Sequence, residues 1–293
     1  MLPRFSIVVP TFDRHRQLAS CLRSIARLDY PADRFEVIVV NDGGEPPPEP
    51  DRDDGLSDYT LLRQVNAGPG AARNLGASAA SGEFLAFVDD DCAPAADWLT
   101  KLARRLVDCP DRLVGGRTIN RLVDNLYSST SQSIVDVVYS HYNADPARAR
   151  FLASNNMAVN AELFRDAGGF DERFRVSEDR EFCDRWLMIG RQAMYAPEAI
   201  VYHAHDLSFA SFCRQHFSYG QGAHRFYQVR ARRGSGTMRQ ELAFHANVRN
   251  WLLSPLRGVT AGARPGRAAL MVVWQVTNAV GFLTRAVRPN LHV

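Results

Sequence analysis

Apolar runs and polar breaks alternate along the first ninety residues, and they do so with two different periods. Residues 5–9 (FSIVV) are a short apolar run that predicts a strand. Residues 14–28 carry Leu18, Cys21, Leu22, Ile25 and Leu28 at helical spacing. Residues 35–40 (FEVIVV) predict a second strand, and 43–57 (GGEPPPEPDRDDGLS), rich in Pro, Gly and acid, a loop. Residues 59–65 predict a third strand, the Ala-rich 70–80 a helix, and 83–88 (EFLAFV) a fourth strand. Strands separated by helical stretches imply βαβ units and a parallel sheet. Ligands bind beyond the carboxyl ends of such strands. Three of these ends are polar: Pro10-Thr11-Phe12-Asp13, Asn41-Asp42-Gly43 and Asp89-Asp90-Asp91. They are expected to converge on one crevice.

After Pro110 the pattern is less regular. It predicts a strand at 113–120, a helix at 124–142, strand or loop at 151–160, a helix at 178–189, and one or two short strands at 193–202. From Ser208 helices dominate, at about 208–232, 239–254 and 266–286. No internal repeat is visible. The expected division is a body at 1–206, with a nucleotide-binding half at 1–110 and an acceptor-side half at 111–206, followed by a helical region at 207–293.

Charge sharpens that division. Residues 207–293 hold twelve Arg and a single acid, Glu241, whereas the chain as a whole carries a formal net charge of only +3. The body is therefore acidic and the C-terminal third basic, which points to an anionic partner such as membrane lipid, phosphate or nucleic acid. Lys101 is the only lysine, so a preference for Arg explains which base is used but not why acids nearly vanish after Asp206. The five cysteines, Cys21, Cys92, Cys109, Cys183 and Cys213, have no paired spacing. That argues against a disulfide framework or a zinc site and for a reducing, cytoplasmic setting. The N-terminus opens on a strand with no signal-peptide pattern.

The chemistry concentrates where residues 83–88 run into Asp89, Asp90 and Asp91. Like charges this close repel, and one of them tends to keep its proton unless a cation joins them. Carboxylate oxygens suit Mg²⁺ or Mn²⁺, which typically hold one or two carboxylates plus substrate phosphates. The cluster thus points to a metal-bound diphosphate. The alternative is a solvated turn in which one Asp caps a helix starting near Pro94.

Four segments, SIVVPTFDRHRQLASCLRSI, FEVIVVNDGG, NAGPGAARNLGASAASGEFLAFVDDD and SEDREFCDRW, occur in this order. Together they resemble family 2 glycosyltransferases of the GT-A fold, over about residues 4–206. The resemblance implies a Rossmann-like, mostly parallel sheet with helices on both faces, here with a helical C-terminal extension. It implies a nucleotide-sugar donor, most simply UDP-linked, and Mn²⁺ or Mg²⁺. Pro10, Thr11 and Asp13 would lie against base and ribose, Asp42 would accept from the base, and Arg73 would lie near the donor phosphates or base. Asp89 would contact the ribose, Asp91 would bind metal, and Asp90 would support them. The family's downstream metal contact maps onto His203, with His205 the alternative, since i and i+2 share a strand face. Asp179 would be the general base beside Glu178. Asn155 and Asn156 would contact donor sugar or acceptor. Each motif also has a plain reading: an Asp-Gly turn at Asp42, a solvated helix residue at Arg73, two surface histidines near a helix cap, and acids at a helix N-terminus for Glu178-Asp179.

The implied activity is inverting transfer of a sugar to a hydroxyl acceptor, whether saccharide, lipid or peptide. One rival is a nucleotidyltransferase, which usually has a Gly-rich first loop that PTFDRHR lacks. Another is a non-catalytic sugar-nucleotide-binding protein, against which the intact candidates for metal ligand and base argue. In the C-terminal third, Arg214, Arg225, Arg230, Arg232 and Arg233 accompany Phe209, Phe212, Phe217, Tyr219, Phe226 and Tyr227. Such a region can lie on the inner, anionic face of a membrane or dock on the body around an anionic acceptor. The uncharged stretch 268–284 is at the short limit for a bilayer span, so a packed or interfacial helix is expected. No nucleic-acid-binding motif accompanies the charge.

Overall fold

The structure, a computed structural model, describes residues 2–48, 56, 58–236, 244–257 and 259–287. Along the chain β1 (Phe5–Thr11), α1 (His15–Ile25), β2 (Phe35–Asn41), β3 (Tyr59–Arg63), α2 (Pro69–Ala79) and β4 (Phe84–Val88) follow the expected order, with ends shifted by up to three residues. Most of the loop expected at 43–57 (residues 49–55 and 57) lies outside the described residues. β1, β2 and β4 are buried at every position, as parallel strands covered on both faces must be. β1 pairs in parallel with β2 and β4, and β2 with β3. Parallel pairing brings the carboxyl ends of all four strands to one edge of the sheet.

The chain continues through β5 (Cys92–Pro94), α3 (Trp98–Asp108), β6 (Leu113–Asn120), α4 (Leu126–Tyr142), β7 (Asn156–Asn160), α5 (Ala161–Asp166), α6 (Glu178–Met188) and β8 (Ala193–His203). The sheet order is β3-β2-β1-β4-β7-β6-β8-β5. β7 runs antiparallel to β4 and β6, and β5 antiparallel to β8. The parallel half is the part that the sequence resolves into βαβ units; the antiparallel half completes a mixed sheet. β8 is one continuous strand rather than two.

Alternate residues of each strand serve opposite faces. Ile7, Val9, Ala86 and Val88 pack with Leu18, Leu22 and Ile25 of α1 and Trp98 and Leu102 of α3. Val8, Leu85 and Phe87 pack with Phe164, Phe170, Phe182 and Trp186. The helical spacing of α1 is thus the imprint of one sheet face.

The chain divides into two compact units, residues 1–119 with 145–204 and residues 120–144 with 205–293. α4 therefore groups with the C-terminal region and not with the acceptor-side half expected at 111–206. Ile134 and Val137 of α4 supply the reason, since they share a cluster with Leu207, Phe212, Leu270 and Met271. This second unit contains α7 (Phe209–Arg233) and α8 (Arg264–Val287). α7 starts at a reciprocal Ser208–Ser211 capping box and stops at Gly234, whose φ of 73° suits glycine. The helix expected at 239–254 is not continuous. Residues 239–243 lie outside the described residues. From Arg249 a single π-helical stretch (Arg249–Leu253) gives way to a 3₁₀ turn (Ser254–Leu256), because Pro255 has no N–H with which to continue an α-helix.

His216 of α7 is 2% exposed, and neither ring nitrogen has a partner. It lies against Phe212, Tyr219 and Trp274. Burial, with a smaller push from His205, lowers its pKa to about 3. An unfolded-state His titrates near 6.5, so between these values the unfolded chain binds the extra proton and stability falls as pH falls. Comparing denaturation of the wild type with His216→Phe isolates this effect. From pH 7 to pH 5 the wild type is expected to lose about 2 kcal/mol relative to the variant. Parallel pH profiles would show that His216 is protonated in the fold.

Candidate active site

Most of the candidate side chains sit where a strand or helix of the first unit begins or ends. β1 ends at Thr11, β2 runs into Asp42, and β4 into Asp89-Asp90-Asp91. β8 ends at His203, which pairs across the antiparallel ladder with Cys92 and so stands beside Asp91. His203 Nε2 is 3.2 Å from Asp91 Oδ1. Burial works against a protonated His203, but its hydrogen bond to Asp91 and the charges of Asp91 and Asp89 raise its pKa above the ordinary value. His205 lies past the end of β8, so strand alternation does not reach it; it belongs to the second unit, where its carbonyl accepts from Ser128 Oγ.

Two of the three aspartates share a cation. Arg14, just after β1, places Nη1 3.0 Å from Asp91 Oδ2 and 3.2 Å from Asp90 Oδ1. Thr11 donates its hydroxyl to Asp90 Oδ2 at 2.7 Å. Asp90 is 4% exposed. Burial, with the charges of Asp91 and Asp89, pushes its pKa up to about 6 against the pull of Arg14 and Thr11. Thr11 and Arg14 therefore hold Asp90 within the cluster; the Asp91 side chain is nearly as buried, and Asp89 is the most exposed of the three. Arg14 is absent from the set expected from sequence; the signal available was a basic stretch (Arg14, His15, Arg16) directly after the polar end of β1.

The donor set can also be tested for a divalent cation. Asp91, Cys92 and His203 offer ligand atoms that lie within 4.8 Å of one another. A carboxylate oxygen and an imidazole nitrogen suit Mn²⁺, and a guanidinium already rests on the same carboxylate. The residues fit a cation.

Arg73 corrects a sequence expectation. It is 2% exposed, and its guanidinium is spent inside the protein. Nη2 bonds Asp89 Oδ1 at 2.5 Å, Nη1 bonds Glu178 Oε1 at 2.8 Å, and the group lies over the Phe170 ring. It links the end of β4 to the first turn of α6, and its buried fork is taken up by these carboxylates rather than directed at phosphates. Glu178 is buried, and burial together with the charge of Asp179 raises its pKa to about 7 in spite of Arg73. Asp179, half-buried, is raised in the same way by burial, offset by the Arg180 N–H (2.7 Å), Arg73 and the Ser154 N–H. One guanidinium facing three acids leaves this end of the site short of positive charge.

The remaining positions separate. Asp42 accepts from Gln64 Nε2, Ala67 N and Gly68 N at 2.7, 2.8 and 2.9 Å, which ties the entry of α2 to the end of β2. Asp13 has a φ of 52° and accepts from Glu45 N. Pro10 is buried inside β1 opposite Val40. Asn155 is half-buried, with Thr118 donating to its Oδ1. Asn156 is not a site residue. It is 0% exposed, its Oδ1 accepts from Trp98 Nε1, and its amide donates to the Arg117 and Ala199 carbonyls. Asn156 is the first residue of β7 and faces the core, whereas Asn155 lies in the turn before it.

Beside this geometry stand likenesses of three kinds, to a family profile, to a curated relative and to solved structures. The sequence profile of glycosyl transferase family 2 matches residues 6–167, more than half of the chain. The chain belongs to glycosyl transferase family 2. A pre-mycofactocin glycosyltransferase of Mycobacterium tuberculosis is 31% identical over 226 residues, 74% of this chain and 46% of that relative. The chain thus spans about half the length of that curated relative. Among solved structures, the mannosyltransferase PcManGT of Pyrobaculum calidifontis, in complex with GDP-Man and Mn²⁺, superposes with a TM-score of 0.68 at 18% identity. The match covers 99% of this chain and 89% of that one. S. aureus TarS in complex with UDP-GlcNAc gives 0.55 at 16% identity, covering 99% and 93%. These two matches establish the shared GT-A fold.

Proposed function

We propose that this protein is an inverting glycosyltransferase that moves a sugar from a nucleotide donor, in the first instance UDP-linked, to a hydroxyl acceptor. The observation that carries this reading is the Asp89–Arg73–Glu178 bridge. It holds the acid cluster that suits a diphosphate and the carboxylate pair that suits a base as one assembly. The relatives that bind GDP-Man and UDP-GlcNAc support a nucleotide-sugar donor.

In this reading Pro10, Thr11, Asp13 and Asp42 shape the nucleotide side, and Asp89 meets the ribose. Asp91 and His203 would hold Mn²⁺ or Mg²⁺. A divalent cation, when bound, neutralises charge developing on the departing diphosphate. Arg14, now paired with Asp90 and Asp91, is free to move to the diphosphate because half of its side chain is exposed. The acceptor oxygen attacks the anomeric carbon from the face opposite the diphosphate, and Asp179 takes its proton. Asn155 lies on the acceptor side, next to Ser154, whose N–H meets Asp179. Buried Cys21, Cys92 and Cys183 suit a reducing, cytoplasmic setting. The twelve arginines after residue 206 would draw the protein to the anionic inner face of a membrane. The test is the identity of the phosphorus product: a nucleoside diphosphate, formed only while a divalent cation is present.

A further inference from the structure

Helix α8 has the wrong outside for a helix facing water. From residue 269 to 287 every exposed position is apolar: Val272, Val276, Val280, Leu283 and Val287, with alanines between. These five are 46–80% exposed and recur at the spacing of one helix face. A surface helix normally turns polar residues outward.

The stripe cannot be turned inward. On the opposite face Leu270, Met271 and Trp274 enter the core of this unit. A Cβ on Gly220 of α7 would come within 2.0 Å of the Asn278 carbonyl oxygen, and one on Gly281 of α8 equally close to that of Phe217. Backbone packs on backbone at both points, so the rotation of α8 is fixed with its apolar stripe facing out.

We infer that this stripe seats in the boundary between headgroups and acyl chains of an anionic bilayer, with α8 lying along the surface. Charge selects the occupant. The region from residue 207 onward holds twelve Arg against Glu241, so a second copy seated on the same face would bring two strongly basic regions together, whereas anionic lipid is attracted to one. α8 is long enough to span, but its partner α7 exposes Arg214 and Arg232, which favour water over acyl chains and so an α8 lying along the surface. The inference rests on the membrane attraction proposed above and adds insertion to it.

Flotation of the full chain with phosphatidylcholine vesicles, with and without phosphatidylglycerol, tests it. A Val276→Glu, Leu283→Glu variant changes two exposed side chains, and its thermal melt verifies folding. The expected result is binding to the phosphatidylglycerol vesicles that survives in part at high salt and falls at least tenfold in the variant. Binding that is lost wholly at high salt, and is equal in wild type and variant, overturns insertion but leaves the electrostatic attraction standing. No binding at low salt overturns both. Sedimentation velocity showing a wild-type dimer that the variant dissociates would make a second copy the occupant and overturn the inference.

Discussion

Replacing Asp179 by Asn is expected to slow sugar transfer by about 10²–10⁴-fold while donor affinity stays within a few-fold. An acceptor hydroxyl is a poor nucleophile at neutral pH, so direct inversion needs a group that takes its proton. Asp179 is suited to that role. Its carboxylate is oriented by the Arg180 and Ser154 N–H groups, and burial makes it more basic than a surface aspartate. Asn keeps the shape and loses the basicity. Glu178 is engaged differently, 2.8 Å from Arg73 and buried, so Glu178→Gln should harm the chemical step less. The two acids titrate as a pair. Glu178 is pushed up to about 7 and Asp179 is raised as well, so the pair takes up a proton as pH falls below neutrality. The first proton goes to Glu178; the base is lost when Asp179, itself raised by burial, takes the next, and transfer should then decline on the acid side. Steady-state rates with donor calorimetry decide the matter. Wild-type transfer by Asp179→Asn removes it as base, and loss of transfer only in Glu178→Gln, with donor binding intact, exchanges the roles.

Replacing Arg73 by Met is expected to cost about 3–5 kcal/mol of folding stability. The guanidinium is nearly inaccessible, and its removal strands Glu178 in the interior and leaves Asp89 unpaired. A buried pair contributes little net attraction once desolvation is counted, but half of one is costly. The double change Arg73→Met, Glu178→Leu should therefore recover much of the loss. Urea denaturation of the two single variants and the double measures the coupling. A loss below about 1 kcal/mol in Arg73→Met would mean that the bridge is not closed in solution.

The parallel half of the sheet was legible because strands buried on both faces leave unbroken apolar runs and their ends carry the polar residues. The resemblance set Asp91 and His203 on one metal, with His205 the alternative; the ladder register that puts Cys92 opposite His203 is what brings the two side chains within 3.2 Å. What escaped the sequence depends on contacts between distant residues. Arg73 meets Glu178 across 105 positions, and nothing local separates a buried bridging arginine from a solvated one. Asn155 and Asn156 are the same residue type in neighbouring positions, and only the place where the turn gives way to β7 separates the half-buried one from the core one. The sharing of Arg14 between Asp90 and Asp91 requires β1 and β4 to be neighbours. α4 carries Ser128 and Thr130 on its buried side along with Ile134 and Val137, so its partner was not readable from periodicity.

Under the proposed function, the acid cluster and the carboxylate pair together release a nucleoside diphosphate from a nucleotide sugar. Phosphorus NMR of the protein with Mn²⁺, UDP-sugars and GDP-sugars, and saccharide acceptors or water as the acceptor, tests it most directly. A nucleoside diphosphate is expected to accumulate without pyrophosphate, a chelator to stop it, and Asp91→Ala not to support it. Pyrophosphate among the products would contradict the account in favour of nucleotidyl transfer, and donor binding with no turnover of any donor would make the site a binding site alone.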